Sequence, residues 1–198
     1  MKQSSKEKLL QTAVRLFAEY GYDGVSIRRI AEESGVNSAL ISYHFKGKEG
    51  LYQAVIETHI HFIAEFLETV QTRRMTPHEI VHAYGRAMLD VHQASPHFTR
   101  IFYREQLSAS PVLQGMLHTI IGPLFLELRK ALQDGVREGR FRADLDVEKA
   151  VLTLAGCVNF YFITRTVNSR FLPQDEAFAE AYLKQALDIF LAGIERRD

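Results

Sequence analysis

Residues 26–52, SIRRIAEESGVNSALISYHFKGKEGLY, decide the fold, because they contain two short helical patterns joined by a tight turn. Ser26 is a preferred helix N-cap, and the apolar residues that follow it recur at helical spacing. Gly35 ends this helix, since glycine adopts the left-handed conformation that reverses the chain without a steric penalty. Asn37 then caps a second helix, predicted over residues 38–45. Two helices joined in this way form a helix-turn-helix, whose second helix reads the major groove of DNA.

The second predicted helix divides its residues between an inner and an outer face. The inner face is apolar and is expected to pack against the first helix through Val36, Leu40, Ile41 and Phe45. The outer face carries short or hydrogen-bonding side chains that suit base edges and phosphates. The base-facing candidates are Ser38, Ala39 and Ser42, and the phosphate-positioning candidates are Ser26, Arg28, Tyr43, His44, Lys46 and Lys48. Arg29 is either a further DNA contact or a partner in a surface salt bridge with Glu32 or Glu33.

The stretch GVNSALISYHFKGKEGLY, residues 35–52, resembles the signature of the TetR family of bacterial transcription regulators. The matching features are the Gly-Val turn, the Asn37 cap, the Tyr-His-Phe end of the second helix and the Lys-Glu-x-Leu-Tyr start of the next. Upstream, FAEYGY at residues 17–22 resembles the end of the family's first helix. Ser42 departs from the pattern, since many members carry tyrosine there, and this leaves the base preference open. The resemblance covers the first quarter of the chain in detail and the rest in layout.

This resemblance implies a one-component transcription regulator and not an enzyme, and we expect no cofactor. The implied partners are a double-stranded DNA operator with an inverted repeat, a small-molecule effector and a second copy of the chain. The two reading helices are expected to enter successive major grooves, and effector binding is expected to change their separation. Repression that is released by a small apolar or aromatic effector is the expected mode of control.

Composition agrees with a cytoplasmic, DNA-binding protein. The first ten residues, MKQSSKEKLL, contain no apolar signal core, and no run of the sequence approaches the apolar length expected of a membrane span. A single cysteine, Cys157, excludes a disulfide within one chain, and it is expected to be a small core residue, with a redox sensor as the alternative. Net charge is zero, but residues 1–50 hold eight Lys or Arg against six Asp or Glu. This small excess suits a DNA-binding face that needs only a few cations.

Helical periodicity dominates the remainder of the chain, so the sequence predicts an all-α fold. Residues 1–50 form a three-helix DNA-binding domain, and residues 51–198 form a domain of about six helices for effector binding and dimerisation. Proline and glycine mark the breaks between these helices. Pro123 falls inside one of them, which is therefore kinked or split near Gly122. The six predicted helices span residues 48–73, 78–93, 97–107, 112–138, 147–169 and 175–196.

The last two predicted helices carry apolar residues on more than one side, so each must be buried on more than one side. They are either central helices of the monomer or helices that pack against a second copy, and the resemblance implies the second arrangement. The candidate interface residues are Val151, Val158, Phe178, Tyr182 and Ile189.

The resemblance also implies that the middle helices enclose the effector. Aromatic rings mixed with a few polar groups suit such a site, although an aromatic stripe at helical spacing also suits an ordinary core. Arg165 is notable, because an arginine among apolar neighbours requires an anion or an acidic partner. The candidate lining residues are Phe98, Phe102, Tyr103, Phe125, Asn159, Tyr161, Phe162 and Arg165.

A rival motif, His78-Glu79-Ile80-Val81-His82, matches the H-E-x-x-H pattern of zinc hydrolases. Met88 stands where the longer form of that pattern needs a third histidine, and a thioether is a poor zinc ligand. Glu79 also lies three residues after Thr76, so it is expected to complete a capping box at a helix start. We therefore expect no catalytic metal, while a regulatory metal on His78 and His82, a zinc hydrolase and a plain helical interaction module remain the alternatives.

Overall fold

The computed structural model describes residues 3–108 and 111–196, and it confirms the predicted all-α fold. The helical segments in this part of the chain are α1 Ser5–Tyr20, α2 Ile27–Ser34, α3 Ala39–Phe45, α4 Lys48–His59, α5 His61–Arg73, α6 Pro77–Ala94, α7 Pro96–Ser108, α8 Pro111–Arg137, α9 Val147–Asn168 and α10 Glu176–Ile194. The helix predicted over residues 48–73 is interrupted at Ile60, which separates α4 from α5. The helix that contains Pro123 is not split, since α8 continues past it.

The chain forms two compact units. The first unit contains α1 to α4 together with α7, so the chain leaves it after α4 and later returns to it. The second unit contains α5, α6, α9, α10 and most of α8.

The core of the first unit forms where α1 packs on α2, α3, α4 and α7. Leu9, Leu16 and Phe17 recur at helical spacing on one face of α1 and are buried, as are Leu51 and Tyr52 on α4. A capping box fixes the start of α1: the Ser4 hydroxyl accepts a hydrogen bond from the Glu7 amide, and the Glu7 carboxylate accepts one from the Ser4 amide. The apolar face of α7, with Phe98 and Ile101, is also buried.

The second unit is a helical bundle with one apolar core drawn from α5, α6, α8, α9 and α10. Glycine allows two close approaches within it. A Cβ atom on Gly85 would lie 2.8 Å from Leu187 Cδ1, so glycine lets α6 approach α10. A Cβ atom on Gly135 would lie 2.1 Å from Cδ2 of Phe141, a buried ring in the loop after α8.

Helix α9 corrects one expectation from the sequence, because it is long and apolar enough to cross a membrane by length and composition alone. Its 22 residues include a window with a mean hydropathy of 1.4. The core helix of a soluble protein can be equally long and apolar. In α9 the high hydropathy arises because one face lies in the core and the opposite face is apolar and exposed.

Candidate functional site

The predicted helix-turn-helix is present, but α3 begins at Ala39, one residue later than predicted, with Ser38 in place of Asn37 as its N-cap. The Ser26 hydroxyl accepts a hydrogen bond from the Arg29 amide at 3.1 Å, which caps α2. Gly35 ends α2 in the left-handed conformation, with φ of 65°, and its amide donates to the carbonyls of Ala31 and Glu32. The side-chain oxygen of Asn37 accepts a hydrogen bond from the Ala39 amide at 2.9 Å at the start of α3. Local capping therefore sets the direction in which α3 leaves the turn.

Helix α3 presents a continuous outer face. Ile41 and Phe45 are buried and Leu40 is half-buried, which anchors the inner face. Tyr43 is 79% exposed, a large fraction for a ring of this size, and the centre of its ring lies 4.9 Å from that of neighbouring His44. The base-facing and phosphate-facing candidates at this helix are all exposed; they are Ser38, Ala39, Ser42, Tyr43 and His44.

The connection from α3 to α4 exposes a helix N-terminus beside two lysines. Lys46 adopts the left-handed conformation, with φ of 61°, and Gly47 follows with φ of 118°. Gly47 is the N-cap of α4, so no side chain caps the first amides of that helix. Unpaired amides and the helix dipole attract anions such as phosphate. Among the ion pairs formed by described residues, none includes Lys46 or Lys48.

The arginines of α2, by contrast, are paired within the chain. Arg28 donates to Glu32 at 2.8 Å, and Arg29 donates to Glu33 at 2.9 Å while its guanidinium lies 3.9 Å from the centre of the Tyr20 ring. Hydrogen bonds from Arg29, and then from Arg15, lower the pKa of the Glu33 carboxyl. Arg29 therefore forms the salt bridge that the sequence left as an alternative, and Arg28 must exchange Glu32 for phosphate if it contacts DNA.

Three of the candidate effector residues lie on α7 in the first unit. Phe98 is buried and stacks on His59 with the ring centres 5.0 Å apart, so its position matches the core alternative. Phe102 is half-buried. Its ring is tilted against that of Phe98 and meets that of Tyr103 edge to face. Tyr103 is also half-buried.

Other candidates belong to a buried polar cluster in the second unit. The Asn159 amide donates to the Tyr84 hydroxyl at 3.0 Å, and its oxygen lies 2.9 Å from His92 Nε2. The His92 ring stacks on Phe162 with the ring centres 4.1 Å apart. Burial lowers the pKa of His92 to about 4, against a smaller opposing effect of the Asn159 hydrogen bond, so the ring is neutral at pH 7. Sequence reasoning missed His92 and Tyr84, although both lie on the apolar face of α6 that also contains Met88.

The remaining candidates of the second unit are occupied by contacts within the chain. Tyr161 is buried and donates to the Pro173 carbonyl at 3.0 Å. Arg165 donates to the side-chain oxygen of Gln174 at 3.0 Å and to its backbone carbonyl. Its observed partner is therefore a neutral amide in the loop before α10, whereas the sequence led us to expect an anion or an acid. Phe125 is half-buried against the core.

The dimer candidates fall on two different faces. Val151 and Val158 are buried in the core of their own chain, which removes them from the surface that a second copy can reach. Phe178 and Tyr182 are half-buried, and Ile189 is 64% exposed. The exposed apolar stripe of α9, whose residues were not among the predicted interface residues, consists of Leu152, Phe160, Ile163 and Val167. Helical spacing revealed two apolar faces on α9, but only the packing of α6 and α10 shows which one is covered.

The H-E-x-x-H residues have structural partners. The Glu79 carboxylate accepts hydrogen bonds from the Thr76 amide at 2.7 Å and from its hydroxyl at 2.8 Å, and the Glu79 amide donates to the Thr76 hydroxyl at 3.4 Å, which completes the predicted capping box. His78 Nε2 lies 3.1 Å from the Glu195 carboxylate, and His82 is exposed. In the part of the chain that the structure describes, no group of three or more His, Cys, Asp or Glu residues is placed to hold a metal ion.

Comparison with known proteins identifies the family. Residues 9–55 match the family model described as bacterial regulatory proteins, tetR family, and residues 77–189 match the tetracyclin repressor-like C-terminal domain. The HTH-type transcriptional repressor NicS of Pseudomonas putida is 27% identical across 97% of this chain and 93% of its own length. The probable HTH-type transcriptional regulator YttP of Bacillus subtilis is 32% identical over 123 residues, which are 61% of this chain and 59% of YttP.

Solved structures share the fold along the whole chain. The ketosteroid transcriptional regulator KstR2 of Mycobacterium tuberculosis superposes with a TM-score of 0.81 at 21% identity, covering 100% of this chain and 98% of KstR2. FadR of Bacillus subtilis, solved in complex with stearoyl-CoA, gives 0.76 at 21% identity, covering 95% and 98%. The two family models together span most of the chain, including both the helix-turn-helix and the helical domain. The chain therefore belongs to the TetR family of bacterial regulatory proteins, and it is a ligand-responsive, DNA-binding transcriptional regulator.

Proposed function

We propose that this protein is a cytoplasmic, homodimeric repressor that leaves an inverted-repeat operator when a small apolar or aromatic effector binds. Residues 1–50 contact DNA, and residues 51–198, apart from the α4 and α7 segments that pack in the first unit, bind the effector and form the dimer. The observation that carries the proposal is the exposed outer face of α3 beside the uncapped start of α4. TetR-family regulators bind DNA operators and small-molecule effectors and form dimers, which supports the DNA-binding, effector-binding and dimeric parts of this assignment.

The helix-turn-helix and the start of α4 contact DNA with two classes of residue. Ser38, Ala39 and Ser42 face base edges, and because these side chains are short, α3 can approach the floor of the groove closely. Tyr43, Lys46 and Lys48 contact phosphates, and the amides at the start of α4 add further donors to the phosphate contact. Phosphate contacts set the register on the duplex, and base contacts supply sequence preference.

The dimer forms through the exposed faces of α9 and α10. An exposed apolar stripe of this kind marks an interaction surface in a soluble protein. Two surface grooves of about 320 and 260 Å³ flank Ile189, and both are also lined by Cys157. Side chains of the partner's stripe would fill these grooves, because a two-fold interface pairs a surface with its own copy.

The effector binds within the second unit near Phe125 and Phe162, where the His92–Asn159–Tyr84 cluster offers a polar anchor in apolar surroundings. The comparison proteins support an apolar effector class, since KstR2 is a ketosteroid regulator and FadR was solved with stearoyl-CoA. NicS is named a repressor, which supports the proposed mode of control. By linkage, the effector releases DNA only if it binds the DNA-free conformation more tightly, with a coupling of about 1–3 kcal/mol.

The test is a footprinting and gel-shift experiment on the DNA upstream of the gene that encodes this chain. We expect protection of an inverted repeat with half-site centres about 34 Å apart or somewhat more, and affinity that falls steeply with salt. An effector found by screening should weaken binding, and Phe162→Ala should abolish that response without changing affinity in the absence of effector. Salt-independent binding, or no binding to any fragment near the gene, would refute the proposal.

A further inference from the structure

A line of side chains within the first unit connects Lys48 at the start of α4 to Glu105 on α7. The Lys48 ammonium lies 4.2 Å from the centre of the Tyr22 ring, in a cation–π contact. The Tyr22 ring lies 4.9 Å from the Tyr52 ring, and the Tyr52 hydroxyl donates a hydrogen bond of 2.6 Å to the Glu105 carboxylate. Glu105 is only 4% exposed. These contacts bring together residues from the α1–α2 loop, α4 and α7.

The line is held firmly at its buried end. Tyr52 is buried, and its ring meets the edge of Phe17 with the centres 4.8 Å apart. Burial, together with the hydrogen bond to Glu105, raises the pKa of Tyr52, so its hydroxyl keeps the proton that it donates. Tyr22 also stacks on Phe17, at 6.1 Å. The ring that carries Lys48 is therefore supported by two other rings, and one of them is tied to α7.

The partner of the Lys48 ammonium is the neutral ring of Tyr22, whereas the arginines of α2 have carboxylates as partners. Each arginine–carboxylate pair must be broken before the cation can contact DNA. Tyr22 holds the Lys48 ammonium without neutralising its charge, so the ammonium remains attractive to an anion. Restricting a flexible lysine before binding reduces the entropy that is lost on binding.

We propose that Tyr22 is a positioning residue that holds Lys48 for its phosphate contact, and that the Tyr52–Glu105 hydrogen bond fixes Tyr22 from α7. This inference rests on the proposed phosphate contact of Lys48. It gives α7 a direct influence on DNA affinity, since a shift of Glu105 would move the ring beneath the lysine.

The test is a double-mutant cycle with Lys48→Ala and Tyr22→Leu. The probe is a fluorescently labelled duplex of about 30 base pairs with arbitrary sequence, since phosphate contacts do not depend on sequence. A plot of log affinity against log salt concentration has a negative slope, and Lys48→Ala should make that slope shallower by about one. Tyr22→Leu should weaken binding by about two- to fivefold, the range expected for losing a cation–π contact. In the Lys48→Ala background, Tyr22→Leu should have no further effect, because nothing remains to be positioned.

Conservative and control variants separate positioning from folding. Tyr22→Phe keeps the ring and should retain wild-type affinity. Tyr52→Phe removes only the hydrogen bond to Glu105 and should reproduce part of the Tyr22→Leu defect, again only when Lys48 is present. Tyr20→Leu removes the cation–π contact between Tyr20 and Arg29, whose cation is paired with Glu33, and should leave the salt slope unchanged.

Two outcomes would overturn the inference, and they can be distinguished. If Tyr22→Leu weakens binding equally with and without Lys48, the residue acts through stability alone, and the proposed function is unaffected. If Lys48→Ala leaves both affinity and salt slope unchanged, the phosphate contact itself is absent, and both the inference and that part of the proposed function fail. Thermal melting of each variant identifies any loss of folded protein.

Discussion

Replacing Ile189 by glutamate should split the dimer, because this residue is an exposed apolar side chain on α10, a helix that packs against α9. Full burial of an isoleucine contributes about 1.5–3 kcal/mol. Ile189 is 64% exposed in the single chain, so covering it with a partner contributes about 1–2 kcal/mol per copy. A two-fold interface buries it twice, which gives about 2–4 kcal/mol and a rise in the dimer dissociation constant of about 30- to 700-fold. Burying the new carboxylate adds a further penalty.

Sedimentation velocity across a range of protein concentrations measures this shift directly. Phe160→Glu, at a position that is 63% exposed on α9, should act in the same direction. Leu107→Glu is the matched control, since Leu107 is 85% exposed but belongs to α7 in the other unit. Operator affinity should fall together with dimerisation, because one half-site offers only half of the contacts. If both α9 and α10 variants remain dimeric at micromolar concentration, the dimer uses another surface and the reasoning is wrong.

Three further predictions concern the folded chain itself. Because the pKa of His92 is lowered to about 4, the unfolded chain binds a proton that the folded protein excludes. As the pH is lowered from about 6.5 to about 4, the free energy of unfolding should therefore fall, by up to about 3 kcal/mol. Urea titrations over this range should show a weaker pH dependence for His92→Gln. Gly135→Ala should displace the Phe141 ring and lower the thermal midpoint, by an amount equivalent to about 1–3 kcal/mol. Glu79→Ala should weaken the start of α6 but leave operator binding unchanged in gel shifts, and a metal chelator should affect neither property.

The parts of the fold that depend on neighbours in sequence were predictable. Ser26 and Asn37 accept hydrogen bonds from amides two or three residues away, and the Gly35 amide donates to carbonyls three and four residues back, so the turn between α2 and α3 is specified locally. Thr76 and Glu79 define the start of α6 in the same way. Capping follows from residue type and spacing alone, which is why these elements begin within one residue of the predicted positions.

Features that depend on distant partners were not predictable. Tyr52 and Glu105 are 53 residues apart, and nothing local to either residue indicates the other. The burial of Val151 and the exposure of Leu152 follow from which side of α9 meets α6 and α10, and both sides are apolar. The left-handed conformation of Lys46 and the interruption at Ile60 occur at residues that are neither glycine nor proline, the types that normally mark such a change.

The return of α7 to the first unit has a practical consequence for hybrid regulators. A fragment cut after α4 would lack Phe98, Ile101 and Glu105, and it would expose the apolar side of α1 and α4 that α7 covers. Such a fragment should be poorly soluble and prone to aggregate. A chimera that joins this DNA-binding unit to the effector domain of another regulator therefore needs both segments, residues 3–61 and α7. Such a chimera has more than one junction between the two parent sequences.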